Sequence, residues 1–159
     1  MIDDSLMGDA ATFIANYESH PELQSAEPWL YNAASGGNVE LVRYLLAKGL
    51  SPNERSIYSS KMPALTAACS KGNSSVAEIL VASGACIDVE SIDDNALFSA
   101  VNARSLDCVK LLVDAGIDIH KTYDLGHRFK NALAFADEMG CKDIAEYLRE
   151  CGAVLPPAK

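Results

Sequence analysis

The residues able to do chemistry are few, and their spacing is wrong for it. The chain has three histidines, His20, His120 and His127. A zinc pair of the H-E-x-x-H kind needs two of them four apart on one helix. His120 and His127 could share a loop, but no acidic or cysteine ligand stands at metal spacing, so no metal site is expected. The five cysteines, Cys69, Cys86, Cys108, Cys141 and Cys151, are odd in number and include no C-x-x-C pair. They are expected as reduced thiols of a cytoplasmic protein rather than a disulfide framework. A nucleophilic thiolate needs a base beside it. Cys69, Cys86 and Cys108 fall instead at interior or near-interior positions and are expected as core thiols. Ser35-Gly36-Gly37-Asn38 lacks the lysine and the length of a phosphate-cradling loop. Asn73-Ser74-Ser75 spells a glycosylation sequon but reads as a helix start with polar first-turn residues. The sequence therefore predicts no catalytic residue, no cofactor and no enzyme.

Composition narrows the partner. The 159 residues carry 13 Lys plus Arg against 22 Asp plus Glu, a net charge of −9, and 49% are hydrophobic. That length and apolar content fit one folded domain over residues 1–159. Nucleic acid and anionic membrane surfaces need cationic neutralisation, which this chain does not supply. The acidic start, Met1-Ile2-Asp3-Asp4, lacks the basic region of a secretory signal. No uninterrupted apolar run reaches the roughly 18 residues of a membrane span. The expectation is a cytoplasmic chain, monomeric when free, with a neutral or basic protein partner.

Glycines set the architecture. Gly49, Gly84, Gly116 and Gly152 recur near a 33-residue period, and each closes an apolar run. Val39–Leu46, Val76–Val81, Cys108–Val113 and Ile144–Leu148 place apolar residues three and four apart, one buried stripe on a helix. A glycine after each suits the left-handed residue that ends a helix. About ten residues upstream lie shorter segments, Leu30–Ala34, Leu65–Cys69, Leu97–Val101 and Leu133–Asp137. There Leu and Ala three apart share one face of a short helix. Turn residues separate the two runs: Gly37-Asn38, Gly72-Asn73, Arg104-Ser105 and Gly140-Cys141. Each unit is a helix, a tight turn and a second helix, followed by a polar finger.

The stretch from Ala33 to Gly49, AASGGNVELVRYLLAKG, resembles the ankyrin-repeat unit, and Gly84-Ala85 and Gly152-Ala153 repeat its close. The resemblance covers roughly residues 28 to 154. It implies an all-α solenoid of stacked helix-turn-helix units with finger loops, in repeats at approximately 27–59, 60–92, 93–127 and 128–154. Residues 1–26 form a divergent N-terminal cap, where Leu6, Ala10, Phe13, Ile14 and Tyr17 make a stripe. Trp29 is expected to pack on that cap. The last unit reads as a polar cap, with Arg149 in place of a leucine and Asp137 in place of an inner alanine. The four openings depart from the family: none has its Thr and His.

The fingers are where a partner is expected. The first exposes Tyr58, Ile57 and Met62. The second gathers carboxylates, including Glu90, Asp93 and Asp94. The third, longer finger mixes Tyr123, His127, Arg128 and Phe129, residue types enriched where proteins touch. The resemblance adds the family's variable inner-helix positions, Ser35, Ser70, Lys71, Asn102, Ala103, Glu138 and Met139 here. It also implies a non-enzymatic protein-binding function through the concave face. The chain also resembles small, acidic, free-standing bacterial ankyrin proteins, some of which serve as immunity proteins or inhibitors of a cognate toxin or enzyme, and charge complementarity would speed capture of a basic one. The alternative is an adaptor or regulatory scaffold for a neutral partner.

Overall fold

A computed structural model describes residues 9–20, 28–57, 61–87 and 90–157. Among them are nine helices: α1 Ala10–Ser19, α2 Trp29–Gly36, α3 Val39–Ala47, α4 Ala64–Ser70, α5 Ser74–Ala82, α6 Ala96–Asn102, α7 Leu106–Asp114, α8 Ala132–Glu138 and α9 Lys142–Glu150. The short helices α2, α4, α6 and α8 pack on one another in chain order and form one layer. The longer α3, α5, α7 and α9 form the second layer, with α1 against α3. This is the helix-turn-helix solenoid read from the glycine period. The all-α reading omitted one feature. The third finger carries a two-stranded antiparallel ribbon, β1 Tyr123–Asp124 and β2 Phe129–Lys130, pairing Tyr123 with Lys130 and Asp124 with Phe129.

The core runs along the whole stack. Leu30, Leu45, Leu65, Leu80, Leu97, Leu112, Leu133 and Leu148 are essentially inaccessible, and alanines 33, 34, 68, 100 and 136 fill the close contacts between short helices. The small residues are what let the inner layer approach so tightly. Gly49, Gly84, Gly116 and Gly152 all adopt φ between 87° and 91°, the left-handed helix stop that their spacing predicts. The N-terminal cap holds an aromatic cluster: Trp29 meets Phe13 edge-on at 5.1 Å and Tyr17 at 6.2 Å. Trp29 is thereby packing, as expected. Leu6 lies outside the described residues. At the far end, Arg149 and Asp137, the two departures from the apolar pattern, are partners, with Nη2 donating to both carboxylate oxygens at 2.8 and 2.7 Å.

The missing Thr and His are replaced by four different ties from a short helix to the segment that follows its unit. Glu54 in the first finger accepts from the Tyr31 amide of α2 at 3.0 Å, where Pro28 offers no cap. The Thr66 hydroxyl on α4 donates to the Asp94 carbonyl of the second finger at 2.7 Å. Asn95 caps α6 through the Leu97 and Phe98 amides, and its Nδ2 donates to the Tyr123 hydroxyl of the third finger at 3.0 Å. Asn131 caps α8 through the Ala134 amide and donates to the Val154 carbonyl. Each tie satisfies buried polar groups at a helix N-terminus while fixing the next finger on the stack.

The candidate binding groove

The third finger is held rather than loose. The Leu125 amide donates to the Arg128 carbonyl at 2.9 Å, and the Gly126 amide to Asp124 Oδ1 at 2.8 Å, closing the ribbon. Its base rests on aromatic rings: Tyr123 stands edge-on to Phe98 at 5.5 Å, and Phe98 stacks on Phe135 at 5.4 Å. Lys130 places its ammonium 5.0 Å above the Phe135 ring. Glu138 then takes two cations of the finger, Arg128 on Oε1 at 2.7 Å and Lys130 on Oε2 at 2.6 Å. Lys130 is a buried lysine, and burial without an ion pair would be costly.

Between this finger, the second finger and the inner helices lies a groove of about 360 Å³. Its apolar surface comes from Met62, Ile92, Phe98, Leu125 and Phe135, and its polar rim from Ser70, Asp93, Ser99, Asn102 and Lys130. The volume sits at the lower end of the range for small-ligand sites, roughly 300–1,000 Å³. Two other hollows differ in kind. One of about 100 Å³ between the first and second fingers is lined by Asn53, Arg55, Cys86, Glu90 and Asp94 among others. An open one of about 500 Å³ beside α1 is bordered by Asp9, Asn38, Glu40 and two glycines, and offers little apolar surface.

Four of the expected partner-binding residues, Met62, Ser70, Asp93 and Asn102, meet in the groove. Tyr123 underlies it through Phe98. Arg128 and Glu138, expected as two separate contacts, are bound to each other. Asp94 is held by Arg55, both guanidinium nitrogens lying 3.0 Å from Oδ2. Glu90 lines the smaller hollow, Lys71 is exposed at the end of α4, His127 is exposed at the ribbon's tip, and Phe129 is half-buried in β2. Tyr58 lies outside the described residues. The sequence reading missed Ile92, Phe98, Leu125, Lys130 and Phe135. Phe98 had a weak signal: it stands where the other units have Tyr31, Thr66 and Ala134, and it alone there is large and lacks a polar group.

The thiols divide. Cys69, Cys108 and Cys141 are buried, but Cys86, expected near the interior, is exposed because it falls past the glycine stop at the root of the second finger. Cys69 and Cys108 share a hydrogen bond, which together with burial pushes the Cys69 thiol well above its ordinary range. Both side chains lie in the core of the stack, where the sequence places them. The Asn73 amide of the apparent sequon donates to the Ala34 and Ser35 carbonyls at 3.0 and 3.2 Å, an inter-unit tie a glycan would break. Among the described residues, no group of three or more His, Cys, Asp or Glu is arranged to hold a metal, and no helix is long and apolar enough to cross a membrane.

Comparison with known proteins gives matching results at three levels. A family model described as "Ankyrin repeats (3 copies)" matches residues 9–93 and 30–123. Ankyrin repeat domain-containing protein 17 of Mus musculus is 44% identical over 66 residues, 42% of this chain and 2% of that protein. Cyclin-dependent kinase inhibitor 2A of Homo sapiens is 30% identical over 132 residues, 80% of this chain and 79% of that protein. The chain thus spans a small part of one relative and most of the other. Among solved structures, the human ASB11 ankyrin repeat domain superimposes with a TM-score of 0.69 at 22% identity, over 79% of this chain and 54% of that one. At that identity the likeness speaks for the fold alone.

Proposed function

This chain belongs to the ankyrin-repeat family, and from that premise we propose that it is a non-enzymatic binding protein. It holds another folded protein against its concave finger-and-inner-helix face and inhibits it by covering its working surface. The observation that carries this reading is the groove. An open, aromatic-floored groove brings together residues from the fingers and the inner helices, and four of them are residues the sequence marks for binding. The net charge of −9 supports a basic partner, an enzyme or a toxin, since complementary charge speeds capture and excludes wrong partners. The relative matched over four-fifths of this chain is by its name an inhibitor of an enzyme, which supports the inhibitory role. In this reading the whole of 1–159 works as one domain and one monomer, and its free thiols suit a reducing cytoplasm.

A scaffold for a neutral partner is the second reading, and the apolar floor of the groove favours it. Salt separates the two. The test captures a partner on the immobilised chain and follows its association at about 50 and 150 mM salt, where screening lengths differ. A basic partner should associate several-fold more slowly at the higher salt, and a neutral one at nearly the same rate. Loss of binding must follow Asn102→Trp, which fills the groove without changing its charge, and not Glu78→Gln on the exposed outer surface. Equal effects of the two substitutions would refute binding through this face.

A further inference from the structure

The protein-binding reading leaves open what part of a partner enters the groove, and the charges at its rim restrict the answer. Two charged side chains line it. Lys130 is committed: it is buried, lies over Phe135 and is paired with Glu138 at 2.6 Å. Asp93 is exposed and takes no part in the ion pairs among the described residues, while its neighbour Asp94 is bound to Arg55. The available charge at the groove is therefore negative and sits beside an apolar floor. The floor itself is half-open, with Met62, Ile92, Leu125 and Phe135 all partly exposed and Phe98 beneath them. A volume of about 360 Å³ suits one large side chain with its flanking backbone, not a whole helix.

Resting on that protein-binding reading, we propose that the groove takes a single large apolar side chain of the partner, carried next to a lysine or arginine that pairs with Asp93. The apolar side chain covers Met62, Ile92, Leu125 and Phe135, burying surface that the free chain leaves partly wet. The cation stays at the rim, half-solvated, where it selects among segments more than it adds affinity. With Lys130 committed to Glu138, the available charge at the rim is that of Asp93, so the pairing has one polarity. Segments with glutamate beside the same anchor would be left with Asp93 unpaired and facing a like charge.

Isotope-labelled protein titrated with three short peptides tests this: acetyl-Lys-Trp-amide, acetyl-Glu-Trp-amide and acetyl-Lys-Gly-amide. The Lys-Trp peptide should shift the backbone amides of residues 92–102 and 125–135. It should bind about threefold more tightly than the Glu-Trp peptide, the scale of one exposed ion pair. The Lys-Gly peptide should shift nothing. Asp93→Lys, on an exposed finger, should leave the far-UV circular dichroism unchanged and invert the order of the two tryptophan peptides. Shifts scattered outside these residues, or the same order in both proteins, would overturn the proposal. If a captured partner is lost on Asn102→Trp and yet the peptide order does not depend on Asp93, the anchor-and-cation assignment fails while the protein-binding reading survives.

Discussion

Arg104 offers a test of the fold's internal logic. In three units the residue between the paired helices is glycine, Gly37, Gly72 and Gly140, with φ of 74°, 72° and 67°. The third unit makes the same turn with Arg104 at φ 56°. A left-handed conformation costs a residue with a Cβ about 1–2 kcal/mol. Glycine avoids that strain but loses about 0.4–1 kcal/mol through its freer unfolded chain, so glycine should exceed alanine here by about 1 kcal/mol. Arginine has a compensation: its Nη2 donates to the Met139 carbonyl of the next unit at 2.7 Å. Because that bond is exposed, it contributes about 0.5–1 kcal/mol. Arg104→Ala keeps the strain and loses the bond, and should destabilise by about 0.5–1 kcal/mol. Arg104→Gly loses the bond and the strain together and should fall within about 0.5 kcal/mol of the parent. In thermal melts the two variants should differ by about 2–4 °C. An alanine variant as stable as the glycine variant would mean that this turn is not left-handed and that the register of the third unit is misplaced.

The other expectations concern the stack and its ties. At Gly37 an added Cβ would stand 2.9 Å from Asn73 Oδ1, the side chain that ties the second unit to the first, whereas at Gly72 the nearest atom is 3.7 Å away. Gly72→Ala should therefore cost about 1 kcal/mol and Gly37→Ala about 2–3 kcal/mol in urea unfolding, because only the second breaks a tie. Leu45→Ala, in the shared interior with no accessible surface, should cost about 2–5 kcal/mol, and a loss under about 1 kcal/mol would contradict its placement. Burial raises the Glu54 carboxyl above its ordinary 4.5, against the lowering influence of the Tyr31 and Leu30 amides. The fold thus binds that proton more tightly than the unfolded chain does. The associated stability is present below the unfolded value and lost as pH rises through the folded one. Glu54→Gln keeps an acceptor for Tyr31, so its urea midpoint should gain on the parent's between roughly pH 4 and 7, and a difference that shrinks over that range would refute the assignment.

The elements of this fold were legible because they rest on periodicities that burial enforces. Leucines at helical spacing must face a core, and a glycine after them must end the helix, whatever the unit is for. The site was less legible, because it depends on which side chains meet across units that are about thirty residues apart. Asp93 and Asp94 are neighbours of the same type, yet Arg55 of the preceding finger claims one and leaves the other exposed. Nothing local separates them. Arg128 and Glu138 likewise read as two surface charges until the ribbon turns and brings them within 2.7 Å.

The absent Thr and His of the unit openings show why the same fold tolerates such loss. The requirement is a group near each short helix's N-terminus that is satisfied by the following segment, and a carboxylate from Glu54, a hydroxyl on Thr66 and amides on Asn95 and Asn131 all meet it. A motif records one solution to that requirement, not the requirement itself. Phe98 stands at the His position of the third unit, and Phe135 one residue further along in the fourth, where the motif fixes no residue. Those two rings now stack and floor the groove. One of the two rings that floor the groove thus stands where the chain departs from the family pattern.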